Sequence, residues 1–249
     1  MQYYFVEKDQ WQGERVTITG DDYHHLVNVM RKKVDDQVIC SHPDGKQAIC
    51  QITAIDDDVS LRIIDWLDVH TESPIDVTIV QGLPKGDKLD WIVQKATELG
   101  ARSFVPFNAV RSIVKWDQKK EGKKLDRLRK IVKEASEQSH RQILPEIHSV
   151  QTLSNVVELS QGYDHLFMAY EETARELQSN KLSHHFNKIR PGERVLIVIG
   201  PEGGLNEKEV RAFYDAHFQA IRLGPRILRT ETAPLYLLSA LSYYFEETE

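Results

Sequence analysis

Cysteine is nearly absent from this chain: its 249 residues hold only Cys40 and Cys50. Two thiols cannot make a disulfide framework or a four-ligand zinc site. They could face each other across a hairpin, but two buried free thiols in a reducing compartment is the reading taken here. Long apolar runs are missing as well. The longest aliphatic stretch, Val195-Leu196-Ile197-Val198-Ile199, falls far short of the roughly 20 residues that span a bilayer. The opening Met1-Gln2-Tyr3-Tyr4-Phe5-Val6-Glu7 has neither the basic start nor the apolar stretch of a signal peptide, so a cytosolic, membrane-free protein is expected. Positive charge is in deficit, with 32 Lys and Arg against 38 Asp and Glu and a net charge of −6. That balance excludes wholesale wrapping of nucleic acid and leaves at most a local basic surface. No Gly-x-Gly-x-x-Gly follows a strand, which excludes the dinucleotide fingerprint. Gly82-Leu83-Pro84-Lys85-Gly86-Asp87-Lys88 lacks the spacing and the final Lys-Ser/Thr of a phosphate loop, so ATP hydrolysis is not expected. The adjacent His24 and His25 would point about 100° apart on a helix, and no other histidine sits at ligand spacing; no metal is expected. His184-His185 matches no motif and reads as solvent-exposed.

What is present is an ordinary globular composition, 41% hydrophobic and 28% charged, long enough for two modest cores. Residues 1–72 read as short strands with one helix. Arg15–Thr19 alternates with period two, and Asp21 or Asp22 is placed to cap a helix through Tyr23–Arg31. Gln37–Cys40 and Gln47–Ile52 flank Pro43-Asp44-Gly45, a turn signal, and Val59–Ile64 follows. A small β-barrel of five or six strands is expected. From about residue 73 strands alternate with helices, which implies a parallel sheet covered on both faces. Strands are expected at 76–80, 103–107, 166–170 and 195–199. Helices are expected from Asp87 to a Gly100 stop, along the basic region with Leu125, Leu128, Ile131, Val132 and Ala135 inward, and after an Asn206/Glu209 capping pair. A last helix is expected to start near Pro234 and to be apolar nearly all round, hence buried.

Two segments late in the chain carry the most information. Val195–Ile199 runs into Gly200-Pro201-Glu202-Gly203-Gly204, and Leu223-Gly224-Pro225-Arg226-Ile227-Leu228-Arg229-Thr230-Glu231-Thr232-Ala233-Pro234 follows about twenty residues on. Each alone reads as a turn before a helix. Together they are two glycine-bearing turns able to wall in one small molecule with bare backbone groups. Lys85, Lys88, Arg111 and Lys115 lie just after strands, where α/β folds place their sites, and as a set suit a phosphate-binding rim. These segments, with His24-His25-Leu26-Val27-Asn28-Val29-Met30-Arg31-Lys32, resemble the SPOUT methyltransferases and specifically the RsmE family, along nearly the whole chain.

The resemblance implies an α/β fold: a PUA-like β-barrel RNA-binding domain (1–72) before a SPOUT methyltransferase domain (73–249) with a deep C-terminal trefoil knot. Nothing in the residue pattern itself indicates the knot, which the general rule against threading would exclude. It implies S-adenosylmethionine as cofactor. The last loop would hold adenine through Leu223, Gly224, Ile227, Leu228 and Thr230. The middle loop would contribute Ile199, Gly200, Gly203 and Gly204, and the strand end Met168-Ala169-Tyr170-Glu171 would line the remaining side. Glycine would be needed where a side chain would fill the cofactor's space. His24, His25, Arg31, Lys32, Lys85, Lys88, Arg111 and Lys115 would meet RNA. The implied partner is 16S ribosomal RNA in the small subunit, not DNA, and the implied assembly is a homodimer joined at the knot.

The implied reaction methylates N3 of a uridine in the decoding region. N3 is a poor nucleophile until its proton leaves, so a cation near O2 or O4 is needed and Arg229 is the first candidate. Glu231 or Glu202 could accept the proton, although both are also placed to cap the helices that follow. N3 lies on the Watson–Crick edge, so the base must be unpaired and splayed out. A SPOUT enzyme for another RNA nucleotide, or a non-catalytic RNA-binding or ribosome-assembly factor, are the competing expectations.

Overall fold

The computed structural model describes residues 1–116, 118–170 and 181–248, with backbone alone for residues 118–120. Glu171 and the side chains of Lys119 and Lys120 lie outside the described residues. The chain divides into two units: Met1–Glu72 with Lys133–Leu144, and Ser73–Val132 with Pro145–Glu249.

The first unit is a six-stranded mixed sheet in the order β1-β4-β5-β6-β3-β2. Its strands are β1 (Tyr3–Phe5), β2 (Trp11–Gln12), β3 (Arg15–Ile18), β4 (Gln37–Ser41), β5 (Gln47–Ile55) and β6 (Val59–Leu67). The expected barrel has six strands but stays open, because β1 and β2 end the ladder without pairing to each other. The Pro43-Asp44-Gly45 turn joins β4 to β5, with Gly45 at φ +90°. Alternate residues point inward to one core of Tyr4, Val16, Ile18, Val38, Ile52 and Leu61. Cys40 and Cys50 are buried in it as free thiols. The one helix starts earlier than either aspartate would place it. Thr19 is its cap, Gly20–His24 is α-helical, and His25–Val29 widens into a π-type turn closed by Met30 N–H to His25 C=O, 2.8 Å.

The second unit is a six-stranded, wholly parallel sheet, β12-β10-β11-β7-β8-β9. The strands are β7 (Asp76–Gly82), β8 (Ser103–Phe107), β9 (Glu146–Ile147), β10 (His165–Ala169), β11 (Arg194–Ile199) and β12 (Gln219–Ile221). Beyond its exposed first residue, each of β7 and β11 is buried throughout, as strands covered on both faces must be. Val77, Ile79, Phe167, Val195, Ile197 and Ile199 face one core, shared with Lys88–Glu98, Gln118–Gln138 and the last helix, Thr232–Glu246. Val80, Val105, Phe107, Met168, Leu196 and Val198 face the other, shared with Leu153–Ser160 and Glu207–Asp215. Asn206 and Glu209 form the expected capping box, and Gly100 ends its helix at φ +88°.

Two expectations about the last helix change. It begins at Thr232 with Glu231 as cap, so Pro234 is its third residue, still within the first turn where no N–H has a helical partner. It is one-sided rather than apolar all round: Leu237, Leu238 and Leu241 are buried while Tyr236 and Tyr243 are exposed. Among the described residues no helix is long and apolar enough to cross a membrane.

Candidate active site

The carboxyl ends of β10, β11 and β12 enclose a cavity of about 390 Å³, within the roughly 300–1,000 Å³ usual for small-molecule sites. Both late glycine-bearing segments wall it, together with the end of β10 and the start of the helix Lys88–Glu98. Of the residues expected from the sequence, the lining includes Ile199, Gly200, Glu202, Gly204, Leu223, Ile227, Leu228, Arg229, Thr230, Glu231, Lys88 and Arg111.

Others fall nearby but outside the wall. Met168 is fully buried and faces the opposite core, because strand residues alternate, while Ala169 and Tyr170 of the same strand end line the cavity as expected. Gly203 offers its carbonyl to Arg111 Nη1 at 3.1 Å. Gly224 sits at φ +79°, against the Tyr236 hydroxyl. Lys85 uses its backbone N–H on Glu202 Oε1, 3.1 Å away, and Lys115 Nζ donates back to Ala109 C=O at 2.5 Å. In the first unit His24 and Arg31 are exposed, Arg31 at φ +53°, and Lys32 is half-buried. His25 is partly used internally, its Nδ1 lying 3.1 Å from the Tyr4 hydroxyl. The basic stretch is largely spoken for as well. Arg127 pairs with Asp90 and Arg129 with Asp126, Lys133 joins Asp22 and Glu137, and Lys124 lies over the Trp116 ring.

At two positions the packing of the loop itself requires glycine. A Cβ on Gly82 would lie 2.5 Å from Pro201 Cδ and 2.6 Å from Pro201 N, and one on Gly200 would lie 3.0 Å from Gly204 C. These two positions let the loop after β11 fold tightly on itself and against β7. Thr230 closes the arrangement from the last loop. Its buried hydroxyl donates to Gly200 C=O at 2.7 Å and accepts from Gln81 Nε2 at 2.9 Å. Glu209, also buried, accepts from Asn206 N–H at 2.8 Å and from Val110 N–H at 2.7 Å, fastening the Arg111 segment to the same helix start. Gln81 and the second role of Glu209 escape a sequence reading, since both depend on partners far along the chain. Ile221, Glu207 and Arg226 also line the cavity. The short strand β12, Gln219–Ile221, offers too few alternating residues to be seen in advance.

The rim is ionic. Lys88 Nζ lies 3.1 Å from Glu202 Oε1 and 3.1 Å from Glu231 Oε2. Burial pulls the Glu202 carboxyl upward, but its own N–H, that of Lys85 and the Lys88 ammonium outweigh this and hold it below the usual carboxylate range. Glu231 is likewise pulled up by burial and more strongly down by its own N–H, by Lys88 and by the charge of Arg229. The ion pairs with Glu202 and then Glu231 push the Lys88 ammonium up. Arg229 is exposed at this rim. An apolar wall of Ile199, Leu223 and Leu228 beside a rim of mixed charge suits a small molecule that carries both a flat ring and ionic groups.

Comparison with known proteins agrees in both units. Residues 18–64 match the RNA methyltransferase PUA domain and residues 71–242 the RNA methyltransferase domain. The chain is 47% identical over 250 residues to ribosomal RNA small subunit methyltransferase E of Bacillus subtilis, covering 99% of this chain and 98% of that one. It is 31% identical to the protein of the same name from Aquifex aeolicus, covering 94% and 96%. The solved structure of ribosomal RNA small subunit methyltransferase E from Neisseria gonorrhoeae, bound to S-adenosyl methionine, superposes with a TM-score of 0.84 at 28% identity, covering 98% of each chain. This chain belongs to the ribosomal RNA small subunit methyltransferase E family, RsmE.

Proposed function

We propose that this protein methylates N3 of a decoding-region uridine in 16S ribosomal RNA of the small subunit, with S-adenosylmethionine as donor. The observation that carries the reading is the cavity itself. Two glycine-bearing loops, pinned together by Thr230, form an apolar slot whose mouth is bordered by Arg229, Glu202 and Glu231. The residues fit the cofactor: Ile199, Leu223 and Leu228 offer a wall for adenine, and the rim carboxylates suit its cationic groups.

When bound, S-adenosylmethionine supplies an electrophilic methyl group on a sulfonium. The chain must then make N3 acidic and hold it in line. Arg229 is assigned to the negative charge that develops on uracil O2 or O4 as N3 loses its proton. Glu202 and Glu231 are held ionised below the usual range, so either would be only a weak base. More of the work therefore falls on the guanidinium. Residues 1–72 are assigned to RNA binding through His24, Arg31 and Lys32, with His25 fixing the turn that presents them. Residues 73–249 are assigned to catalysis, with Lys85, Arg111 and Lys115 toward the phosphates. A trefoil knot at the C-terminal end, a homodimer joined there and a cytoplasmic location complete the proposal, supported by family membership.

The test is transfer of a labelled methyl group from S-adenosylmethionine to purified small ribosomal subunits lacking this modification. Arg229→Ala should lower kcat by about 10²–10³-fold with little change in cofactor affinity, the usual scale for losing one charge-stabilising donor. A chain that binds neither cofactor nor subunit would overturn the reading.

A further inference from the structure

Lys88 opens its helix at the mouth of the cavity, half-buried, and its ammonium is 3.1 Å from a carboxylate oxygen on each of two other segments. Glu202 belongs to the loop after β11, and Glu231 caps the last helix. One side chain thus ties together three stretches of chain that are otherwise far apart in sequence. A phosphate contact, as expected from the sequence, would draw on the charge of this ammonium, which two carboxylates already offset.

We propose that Lys88 is a positioning residue, whose ammonium holds the Glu202 loop and the Glu231 start of the last helix together around the cofactor cavity. The proposal rests on the methyl-transfer reading above and deepens it. The other charged groups around the pair are Arg111 from the segment after β8, Glu207 at the start of the next helix, and Arg226 and Arg229 from the last loop. Arg111 is engaged with Gly203 C=O, and Arg229 adds a smaller pull on Glu231 than Lys88 does. Without Lys88, the two carboxylates would keep their N–H partners and the charge of Arg229 but lose the ammonium between them. Like charges at close range disfavour ionisation of both, so the loops would separate or one carboxyl would take up a proton.

The sign follows directly. Lys88 lowers the proton affinity of Glu202 and Glu231, so removing it raises their folded pKa values. Cofactor binding that needs the carboxylates ionised is then lost at a higher pH as the solution is acidified. The experiment is calorimetric titration of the full-length protein with S-adenosylmethionine between about pH 3.5 and 7.5, for wild type, Lys88→Met and Lys88→Arg; that span takes in the ordinary carboxylate range. Lys88→Met should weaken binding roughly three- to tenfold near neutral pH, as for a partly exposed ion-pair network. Its acid midpoint should move to higher pH. Lys88→Arg should restore both, and KM for ribosomal subunits at saturating cofactor should stay unchanged. Should Lys88→Met melt at a much lower temperature, Lys88→Gln, which keeps a donor without the charge, carries the same comparison. A Lys88→Met curve that superimposes on wild type, or a variant whose only defect is a raised KM for RNA, would overturn the proposal in favour of a phosphate contact. Failure of the wild type to bind the cofactor at all would sink the cavity reading along with it.

Discussion

Gly82→Ala tests how the cavity is built, because the added methyl group meets backbone. Its Cβ would sit 2.5 Å from Pro201 Cδ, 2.6 Å from Pro201 N and 3.0 Å from Gly200 C. Ordinary contact begins at 3.4 Å, so something must move by roughly 0.9 Å, an overpacking that typically costs about 1–3 kcal/mol. Strand β7 cannot yield, since it is paired with β11 on one side and β8 on the other. The proline ring has no rotamer to swing away. The loop after β11 must shift, and with it Gly200 and Glu202. For a chain of this size each kcal/mol moves the melting temperature by about 2–4 °C, so a fall of roughly 2–12 °C is expected. A displacement near 1 Å at a reacting site costs on the order of 10²-fold in rate. Thermal melts with and without S-adenosylmethionine, followed by single-turnover methylation, read both effects. An alanine variant that melts within a degree of wild type and methylates normally would show that the loop is not seated against Gly82.

Thr230→Val keeps the shape but removes the hydroxyl that joins Gly200 C=O to Gln81; leaving those groups under-satisfied should cost about 1–3 kcal/mol. Cofactor affinity should fall about tenfold on the same scale, Thr230→Ser should recover most of it, and an unaffected valine variant would refute the pinning role. In the first unit, Glu72 accepts hydrogen bonds from the buried Arg141 and from the N–H groups of Gln142 and Ile143. Burial pushes its carboxyl up, but the Arg141 contact and these N–H groups prevail, so it titrates below an ordinary glutamate. A depressed folded pKa adds stability that is present above the unfolded value of about 4.3 and is lost as pH falls through the folded one. Glu72→Gln should therefore cost roughly 1–3 kcal/mol near neutral pH, and urea melts should show the gap closing as the pH drops below about 4. A gap independent of pH would contradict the ionised pairing.

Periodic segments with local end signals were readable from the sequence. Strands β7, β8 and β11, the Gly100 stop, the Asn206/Glu209 box and the inward face of Gln118–Gln138 all rest on neighbours a few residues apart. The two late loops were readable as one site because a buried strand running into glycine is a local pattern. What stayed hidden depends on partners distant in the chain. Gly82 looks like part of a lysine-bearing loop until Pro201 is seen against it. Glu209 looks like a cap only, until Val110 donates to it across the unit. Lys88 looks like part of a phosphate-binding rim until two carboxylates appear beside it. Met168 fails for a different reason: its neighbours line the cavity, but strand alternation turns Met168 itself to the other core. The helix through His24 and His25 was visible, yet its widened turn and the Tyr4 contact of His25 were not, because neither leaves a spacing signature.

The central claim is the position of the methyl group. Small ribosomal subunits lacking the modification would be incubated with the purified protein and S-adenosylmethionine, and the 16S RNA then copied by reverse transcriptase. N3 lies on the pairing edge, so its methylation blocks copying. A new stop is expected at a single decoding-region uridine, dependent on the cofactor and strongly reduced for Arg229→Ala. Label incorporated at a different nucleotide, with no stop at that uridine, would contradict the uridine N3 assignment.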